Sequence, residues 1–389
     1  MCDKSSNYVR GQKSAIISAM PVRKSLPEAV GQLLIMGFDG TVLTDSVRAM
    51  LRDMQPGGVI LFARNIETPR QTHALLKDIQ KELEVRPLLC IDMEGGTVDR
   101  LKNAIGPAPS AQEIARSARR ELFREHGRVI GAEVCALGFN VDFAPVLDLR
   151  FDASLSVLGS RTVSPDPKAT TIYAREFLRG LKESKVLGCG KHFPGLGEGT
   201  LDSHHALPVV RKPFKRIWDE DLVPYRDLAR QLPFVMVGHI AYPEVTGDET
   251  PASLSRKWIT DILRKRIGYK GLIITDDLEM GGVLAALPIE QAAVESLRAG
   301  ANIYLVCHQE ERVRACYEAL LHEAEKDSRF RRHLLDSAAH VRRVKLRSPE
   351  LTRRFPASPT DAAIDKLRQR LWLLGEEARM AANAIAVEA

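Results

Sequence analysis

The feature that most constrains the fold is an alternation of short apolar runs with longer amphipathic segments of helical periodicity. Eight apolar runs occur, and most are continuously apolar, as expected of strands that are covered on both faces of a parallel sheet. They comprise residues 32–38, 57–63, 87–92, 141–148, 186–193, 234–241, 272–277 and 302–307. Helical patterns lie between them, for example over residues 68–84 and 288–300, where Gly300 is a typical helix stop.

Eight strands with helices between them predict an α/β protein that folds as a (β/α)8 TIM-type barrel. The alternative is a doubly wound open sheet, although no GxGxxG sequence follows the first predicted strand. We predict a single catalytic domain over residues 27–347, with a flexible N-terminal extension, residues 1–26, and a C-terminal linker and helix, residues 348–389. The leucine and tryptophan residues of segment 364–386 are expected to pack on the barrel or on a partner as core.

The composition is that of an ordinary globular protein, with 44% hydrophobic and 27% charged residues. No apolar run approaches the roughly 20 residues needed to cross a bilayer, so we expect no integral membrane segment. The six cysteines include no CxxC pair and no spacing typical of a zinc site, which favours a reducing compartment and predicts no metal centre. Cys90, Cys189 and Cys307 lie in apolar runs, where we expect them to be buried.

The N-terminal residues lack the apolar region of a secretory signal, and we therefore expect a cytoplasmic protein. The alternative is a periplasmic or lipid-anchored form, with Cys2 as the lipid-bearing residue of a processed chain. The formal net charge is +6, and residues 328–354 contain nine Lys or Arg but only two acidic residues. Such a segment can contact phosphate or anionic lipid, but few aromatic residues are interleaved. We therefore interpret it as a solvated helix face and expect no nucleic-acid partner.

Unusual polar residues cluster at the C-terminal ends of the predicted strands. In barrel enzymes these ends converge on one mouth, where catalysis takes place, so we predict an active site there. No GxSxG elbow, P-loop or dominant metal-ligand spacing is present, and we expect no cofactor. Carboxylates, imidazoles and cations suit proton transfer and nucleophilic attack on a sugar. The residues concerned are Asp39, Arg64, Asn65, Asp92, Glu94, Asp148, Lys191, His192, His239, Asp276, Asp277 and His308.

Asp276 and Asp277 end the seventh predicted strand. Neighbouring side chains of a strand alternate faces, so one carboxylate should enter the barrel mouth while the other binds backbone or a neighbour. A carboxylate held rigidly at a strand end is suited to nucleophilic attack. The structural alternative is that the pair caps the helix-like segment that follows.

The loop GLGEGTLDSHH, residues 195–205, follows the fifth predicted strand. Retaining glycoside hydrolysis needs a proton donor, later a base, opposite its nucleophile. A histidine such as His204 could supply it, because the unperturbed pKa of imidazole is near 6.5, and Asp202 could orient the ring. The glycines would allow the loop to move over a bound sugar. An ordinary polar turn is the structural alternative.

Eight segments carry a more specific signal. In chain order they are GVILFARNI, IDMEGGTVDRL, NVDFAPVLDL, GSRTVSPDP, GKHFPGLGEGTLDSHHALPVV, MVGHIAYP, PASLS and ITDDLEMGGV. Together they resemble the motifs of the bacterial β-N-acetylhexosaminidases of glycoside hydrolase family 3. The resemblance extends from about residue 28 to residue 347.

This resemblance implies a retaining enzyme that removes terminal β-linked N-acetylglucosamine (GlcNAc) through a covalent glycosyl-aspartate, as in peptidoglycan recycling. It places the nucleophile on Asp276 and the acid/base on His204, with Asp202 as its partner. The partners expected are GlcNAc-containing saccharides or muropeptides, and we expect a monomer. The implied substrate contacts are Asp92, Arg100, Arg161, Lys191 and His192.

The chain departs from the family pattern at three positions. Leu196 stands where a second histidine is usual, Thr97 where an arginine often follows EGG, and His205 adds an imidazole beside the expected acid/base. Two other functions stay open. A neutral imidazole repels an incoming phosphate less than a carboxylate does, which would suit a β-N-acetylglucosaminide phosphorylase. A non-catalytic muropeptide-binding barrel is the other alternative.

Overall fold

Eight parallel strands close into a barrel in the computed structural model, which describes residues 25–203 and 205–388. The barrel strands are β1 Leu34–Met36, β2 Gly58–Leu61, β3 Leu88–Ile91, β6 Val141–Asp142, β7 Leu187–Phe193, β8 Phe234–Val237, β9 Leu272–Asp277 and β10 Ile303–Val306. The ring closes because β1 pairs with both β2 and β10. Two further strands, β4 Met93–Gly95 and β5 Val98–Asp99, form an antiparallel hairpin. The barrel prediction is therefore confirmed, and the open sheet is wrong.

Each predicted apolar run contains one barrel strand, but the fourth strand is shorter than predicted. Its ladder covers Val141–Asp142 of the predicted residues 141–148. Pro145 lies in the remainder and has no N–H to donate to a neighbouring strand. Beyond it the chain still runs beside β7, because the N–H of Leu147 donates to the carbonyl of Lys191 at 2.6 Å. The segment thus stays in the barrel wall without forming a regular strand.

Helices surround the barrel and also form the C-terminal part of the chain. They are α1 Leu26–Gly31, α2 Asp45–Met54, α3 Pro69–Glu82, α4 Ala111–Arg116, α5 Arg120–Leu137, α6 Pro167–Glu183, α7 Phe214–Asp219, α8 Val223–Leu228, α9 Pro243–Thr246, a π-helix Lys257–Arg266, α10 Gly281–Leu284, α11 Ile289–Ala299, α12 Glu310–Lys326, α13 Ser328–Arg347, α14 Pro349–Thr352 and α15 Asp361–Glu388. In the part of the chain that the structure describes, none of them combines the length and apolar character of a membrane span.

The sequence signals for helix ends act as expected. The hydroxyl of Thr68 accepts a hydrogen bond from the N–H of Gln71 at 3.1 Å, and Pro69 occupies the first turn of α3. At the other end of a helix, Gly300 follows α11 with a φ of 113°, a left-handed conformation that glycine adopts without a steric penalty. The start of α3 and the end of α11 therefore follow from local sequence.

One hydrophobic cluster joins the barrel interior to the inner faces of the helices. Cys90, Cys189 and Cys307 belong to it and are buried as free thiols, which confirms the expectation for these residues. Their strands carry apolar residues on both faces because helices cover the outside of the sheet. The strand ends, where the polar residues lie, are thereby held by a close-packed support.

The C-terminal helix α15 packs against α4 and α5. Leu371 and Leu374 are buried there, but Trp372 is 62% exposed, so the expectation that this tryptophan packs on the barrel is wrong. Packing of Trp372 on a partner stays a prediction. Trp372 lies one position from Leu371, which turns it by about 100° from the buried face of the helix. The N-terminal extension predicted for residues 1–26 lies outside the described residues, except for Ser25 and Leu26.

Candidate active site

A cavity of about 250 Å³ opens at the C-terminal ends of the barrel strands. Its volume is near the lower end of the range for small-molecule sites, and its wall combines apolar side chains with a few convergent charged groups. The apolar part includes Phe62, Phe143 and Met236. Among its charged and polar lining residues are Asp92, Glu94, Arg100, Arg161, Lys191, His192, Asp202, Asp276 and Asp277.

Glu94, on the hairpin strand β4, is the centre of a buried ion network. It receives two hydrogen bonds from the guanidinium of Arg161, both of 2.8 Å, and lies 2.7 Å from the ammonium of Lys191. The same ammonium is 2.7 Å from Asp92. Burial would raise the pKa of Glu94, but Arg161 and Lys191 outweigh it and hold this pKa far below its usual range. Burial would likewise lower the pKa of Lys191, yet Asp92 and Glu94 keep it above its ordinary value.

Arg100 lies at the outer side of this network. Its guanidinium is 3.8 Å from Asp92 and 5.6 Å from the ring centre of Phe62. The Nε of Arg100 is buried and has no hydrogen-bond partner among the described residues. Because an arginine carries five N–H donors, this side chain has donors left for the hydroxyl groups of a ligand.

His192 is held in one orientation by Asp148. Its Nδ1 lies 2.7 Å from the carboxylate, and both groups are buried. The same carboxylate accepts the N–H of Leu196 at 2.7 Å, so it also fixes the start of the loop that follows β7. With Nδ1–H donated to Asp148, the Nε2 of His192 is directed to Arg161, whose nearest nitrogen is 3.4 Å away.

Asp276 and Asp277 both line the cavity, but their environments differ. Burial would raise the pKa of Asp276, whereas His192, His239 and the N–H of Asp277 together lower it. Asp277 accepts the N–H of Glu279 at 3.1 Å, so it is the carboxylate that binds backbone. The capping alternative is wrong, because α10 begins after Met280 without a side-chain cap. Burial, with the charges of Glu279 and Asp276, raises the pKa of Asp277 to about 7. Asp276 is therefore the more fully ionised carboxylate of the two at neutral pH.

Two histidines at the strand ends support the Asp276–Asp277 segment. His239 is fully buried, with Nε2 2.8 Å from the carbonyl oxygen of Asp277 and Nδ1 2.7 Å from the hydroxyl of Ser253. His308 lies 3.6 Å from the Asp277 carboxylate. These imidazoles fix the end of β9.

The loop of residues 195–205 reaches the same cavity through Asp202 and Ser203. The carbonyl of Asp202 accepts the N–H of His205 at 3.0 Å, and the carbonyl of Ser203 accepts the N–H of Gly282 at 3.1 Å. His204, the predicted acid/base, lies outside the described residues. The structure thus brings the carboxylates of Asp202 and Asp276 to one cavity.

Other predicted rim residues have structural contacts. The amide of Asn65 donates to the carbonyls of Phe38 and Gly40 at 2.9 and 2.8 Å, which ties two loops together. Arg64 forms an ion pair of 2.5 Å with the exposed Asp39. Among the described residues, no group of three or more His, Cys, Asp or Glu side chains is arranged to hold a metal ion.

Sequence reasoning assigned no role to Glu94 or Asp148, although both hold other site residues in place. The sequence placed both residues at the ends of predicted strands. Many other polar residues have the same position, so it did not single out these two. Two of the three departures from the family pattern, Thr97 and Leu196, line the cavity. They are therefore in position to alter its shape and polarity.

Comparisons with known proteins agree with this geometry. Residues 25–344 match the glycosyl hydrolase family 3 N terminal domain. A β-hexosaminidase of Bordetella parapertussis is 38% identical over 295 residues, which cover 74% of this chain and 83% of that protein. A solved family 3 β-N-acetylglucosaminidase of Paenibacillus sp. has a TM-score of 0.83 and 32% identity, covering 90% of this chain and 69% of that one. NagZ of Neisseria gonorrhoeae, in complex with N-trifluoroacetyl-D-glucosamine, has a TM-score of 0.73 and 28% identity. The match covers 89% of this chain and 97% of that one. The chain therefore belongs to glycosyl hydrolase family 3 and is a glycoside hydrolase.

Proposed function

We propose that this chain is a retaining exo-β-N-acetylglucosaminidase that releases terminal β-linked GlcNAc from peptidoglycan fragments. The observation that carries the proposal is that Asp276, at the end of β9, and Asp202, on the loop after β7, line one cavity. A nucleophile and an acid/base must flank the same glycosidic bond, and two separate elements of the barrel supply candidates for them. The names of the relatives, β-hexosaminidase and β-N-acetylglucosaminidase, favour the same chemistry.

In the first step, a carboxylate oxygen of Asp276 attacks the anomeric carbon as the bond to the leaving oxygen breaks. His204 gives its proton to that oxygen, so the aglycone leaves as a neutral alcohol. The lowered pKa of Asp276 suits this role because the attacking group must be ionised. The product is a glycosyl-aspartate with inverted anomeric configuration.

In the second step, a water molecule gives a proton to the neutral His204 and attacks the anomeric carbon. The bond to Asp276 breaks, the carboxylate is regenerated, and the second inversion restores the β-configuration. Asp202 orients the ring and stabilises the imidazolium that forms in this step. A histidine is an effective acid and base here because its pKa is close to neutral pH.

The charged network forms the part of the site that holds the sugar. Its members Asp92, Arg100, Arg161, Lys191 and His192 all line the cavity. Charged groups of both signs suit the hydroxyl groups of a pyranose, which both donate and accept hydrogen bonds. The neighbouring structure from Neisseria gonorrhoeae binds N-trifluoroacetyl-D-glucosamine, a GlcNAc analogue, which favours GlcNAc at this position.

The test is hydrolysis of two β-N-acetylglucosaminides, one with an activated aryl leaving group and one with an alkyl leaving group. We expect Asp276→Ala to abolish turnover of both. His204→Ala should lower kcat/KM for the alkyl substrate by about 10²- to 10⁴-fold and leave the aryl substrate far less affected, because only the alkyl leaving group needs a proton. His205→Ala is the matched control, since it removes the neighbouring imidazole. Equal losses on the two substrates would remove His204 from the acid role.

Product analysis distinguishes the alternatives. Proton NMR of a muropeptide digest should show GlcNAc released first as the β-anomer. A sugar 1-phosphate formed at high phosphate would instead indicate phosphorolysis. Binding of the fragments without any turnover would indicate a non-catalytic barrel and would refute the proposal.

A further inference from the structure

A buried lysine, Lys212, joins the loop of residues 195–205 to the segment that follows it. Its side chain is 1% exposed, and its ammonium lies 2.7 Å from Asp221, 2.7 Å from Glu220 and 2.9 Å from Glu198. Lysine is seldom so deeply buried unless its charge is paired. The three carboxylates compensate the charge of Lys212 at this position.

These carboxylates come from two parts of the chain. Glu220 and Asp221 lie between α7 and α8, close in sequence to Lys212, and Asp221 is itself 2% exposed. Glu198 belongs to the loop of residues 195–205, four positions before Asp202. Of the three contacts, the one to Glu198 therefore attaches the loop to the body of the protein.

The first residues of the loop have further attachments. The hydroxyl of Tyr242 donates to the carbonyl of Gly195 at 2.6 Å, and the N–H of Leu196 donates to Asp148. A Cβ on Gly197 would lie 2.6 Å from the carbonyl oxygen of Leu149, so close packing of the backbone requires glycine at this position. Glu198 lies between these attachments and Ser203, whose carbonyl accepts the N–H of Gly282 at 3.1 Å.

We propose that Glu198 and Lys212 form an ionic clamp that positions the loop so that Asp202, the proposed partner of the acid/base, stands at the catalytic cavity. Both are positioning residues, because they act through the loop. The expected effect on catalysis rests on the proposed function, whereas the expected effect on the mobility of the loop does not. An ion pair with a buried partner is screened less by water and salt than a surface pair, so the clamp can hold an otherwise glycine-rich segment.

Glu198 and Glu220 offer a matched pair of variants. Each carboxylate contacts the Lys212 ammonium and lies 3.3 or 3.2 Å from Arg216, and their side chains are 26% and 33% exposed. Either substitution by alanine leaves Lys212 with two carboxylates, so both variants should fold. Of the two variants, only Glu198→Ala removes the contact between Lys212 and the loop.

The kinetic test compares both variants on the alkyl and the activated aryl β-N-acetylglucosaminide. We expect Glu198→Ala to lower kcat/KM for the alkyl substrate by about tenfold, the equivalent of about 1.4 kcal/mol, and to leave the aryl substrate near wild type. Glu220→Ala should leave both near wild type. Equal losses on the two substrates in Glu198→Ala, or the same result for both variants, would overturn the positioning role.

Hydrogen exchange of peptides from residues 195–206 gives a readout that does not depend on activity. We expect faster exchange in Glu198→Ala than in wild type, and wild-type exchange in Glu220→Ala. Unchanged exchange in Glu198→Ala would refute the clamp. If the wild-type enzyme cleaves no β-N-acetylglucosaminide, the proposed function fails, and hydrogen exchange still decides whether the clamp exists.

Discussion

At the scale of the residue, buried charges differ in whether the surrounding residues compensate them. Glu94 has Arg161 and Lys191 as partners, so it is charged although it is buried. Glu133, on α5, is also buried, but neither of its carboxylate oxygens has a hydrogen-bond partner among the described residues. Burial, with the nearby charge of Asp99 and Asp142, raises the pKa of Glu133 well above its ordinary value. Folding therefore favours the protonated form of Glu133.

We expect this protonation to make the stability depend on pH. The folded chain keeps a proton on Glu133 that the unfolded chain loses above pH 4.5, the ordinary pKa of the group, so the free energy of unfolding falls as pH rises beyond it. The amide of Glu133→Gln does not titrate. The stability of this variant relative to wild type should therefore increase between pH 5 and pH 8, by up to about 1.4 kcal/mol per pH unit.

Urea unfolding of the two proteins across this pH range measures the effect. The buried amide can also change the free energy of unfolding by a constant amount at every pH. Such a change does not alter the slope of the free energy of unfolding against pH, so the two slopes are the quantities to compare. Parallel stability curves for wild type and variant would show that Glu133 does not carry the proton.

At the scale of the element, the close contact of α5 with α6 depends on glycine. A Cβ on Gly127 would lie 2.0 Å from the carbonyl oxygen of Phe177, and one on Gly180 would lie 2.1 Å from that of Arg124. The two helices therefore meet backbone to backbone at these points. Glycine in a helix costs stability relative to alanine, and here the close approach explains why it is present.

We expect Gly180→Ala to lower the free energy of unfolding by about 1–3 kcal/mol, because the added methyl group meets rigid backbone and must separate the helices. Gly375, on α15, is the matched control, since a Cβ added there would meet nothing within 4 Å. Gly375→Ala should raise stability by about 0.5–1 kcal/mol through helix propensity. Thermal or urea unfolding measures both, and a neutral Gly180→Ala would contradict the contact.

At the scale of the whole molecule, α15 extends the core beyond the barrel. Leu374 is fully buried against this core, whereas Trp372, on the same helix, is largely exposed. The guanidinium of Arg370 also pairs with Glu125 of α5, and that of Arg368 donates to the carbonyl of Ile105 at 2.6 Å. We infer that the helix and the barrel unfold together.

We expect Leu374→Ala to cost about 2–5 kcal/mol, the range for a large apolar side chain removed from a core. Trp372→Ala, the control on the exposed face, should change stability by less than about 0.5 kcal/mol. Calorimetry checks both the size of the effect and the cooperativity. Separate transitions for helix and barrel would contradict a shared folding unit.

The elements were largely predictable because their signals are local. Apolar runs located all eight strands, and Thr68 and Gly300 marked helix ends by their own hydrogen-bonding and backbone properties. The length of β6 was less predictable, because it depends on whether the neighbouring strand needs a hydrogen bond from the position of Pro145, which has no N–H. Likewise, periodicity located α15, but it did not predict which side of the helix packs on the barrel. Trp372 lies on the other side and is exposed.

The sequence by itself determined the class of fold and the strand ends at which polar residues gather, because periodicity and residue type act over a few positions. It also carried the motifs that assign the chain to its family. Only the tertiary structure decided that Glu94 links Arg161 to Lys191 and that Glu198 reaches Lys212. The pairings of Glu94 join distant parts of the chain, and barrel closure sets both their distance and the burial that gives them their strength. The pairing of Glu198 instead depends on how the segment between β7 and β8 folds back on itself.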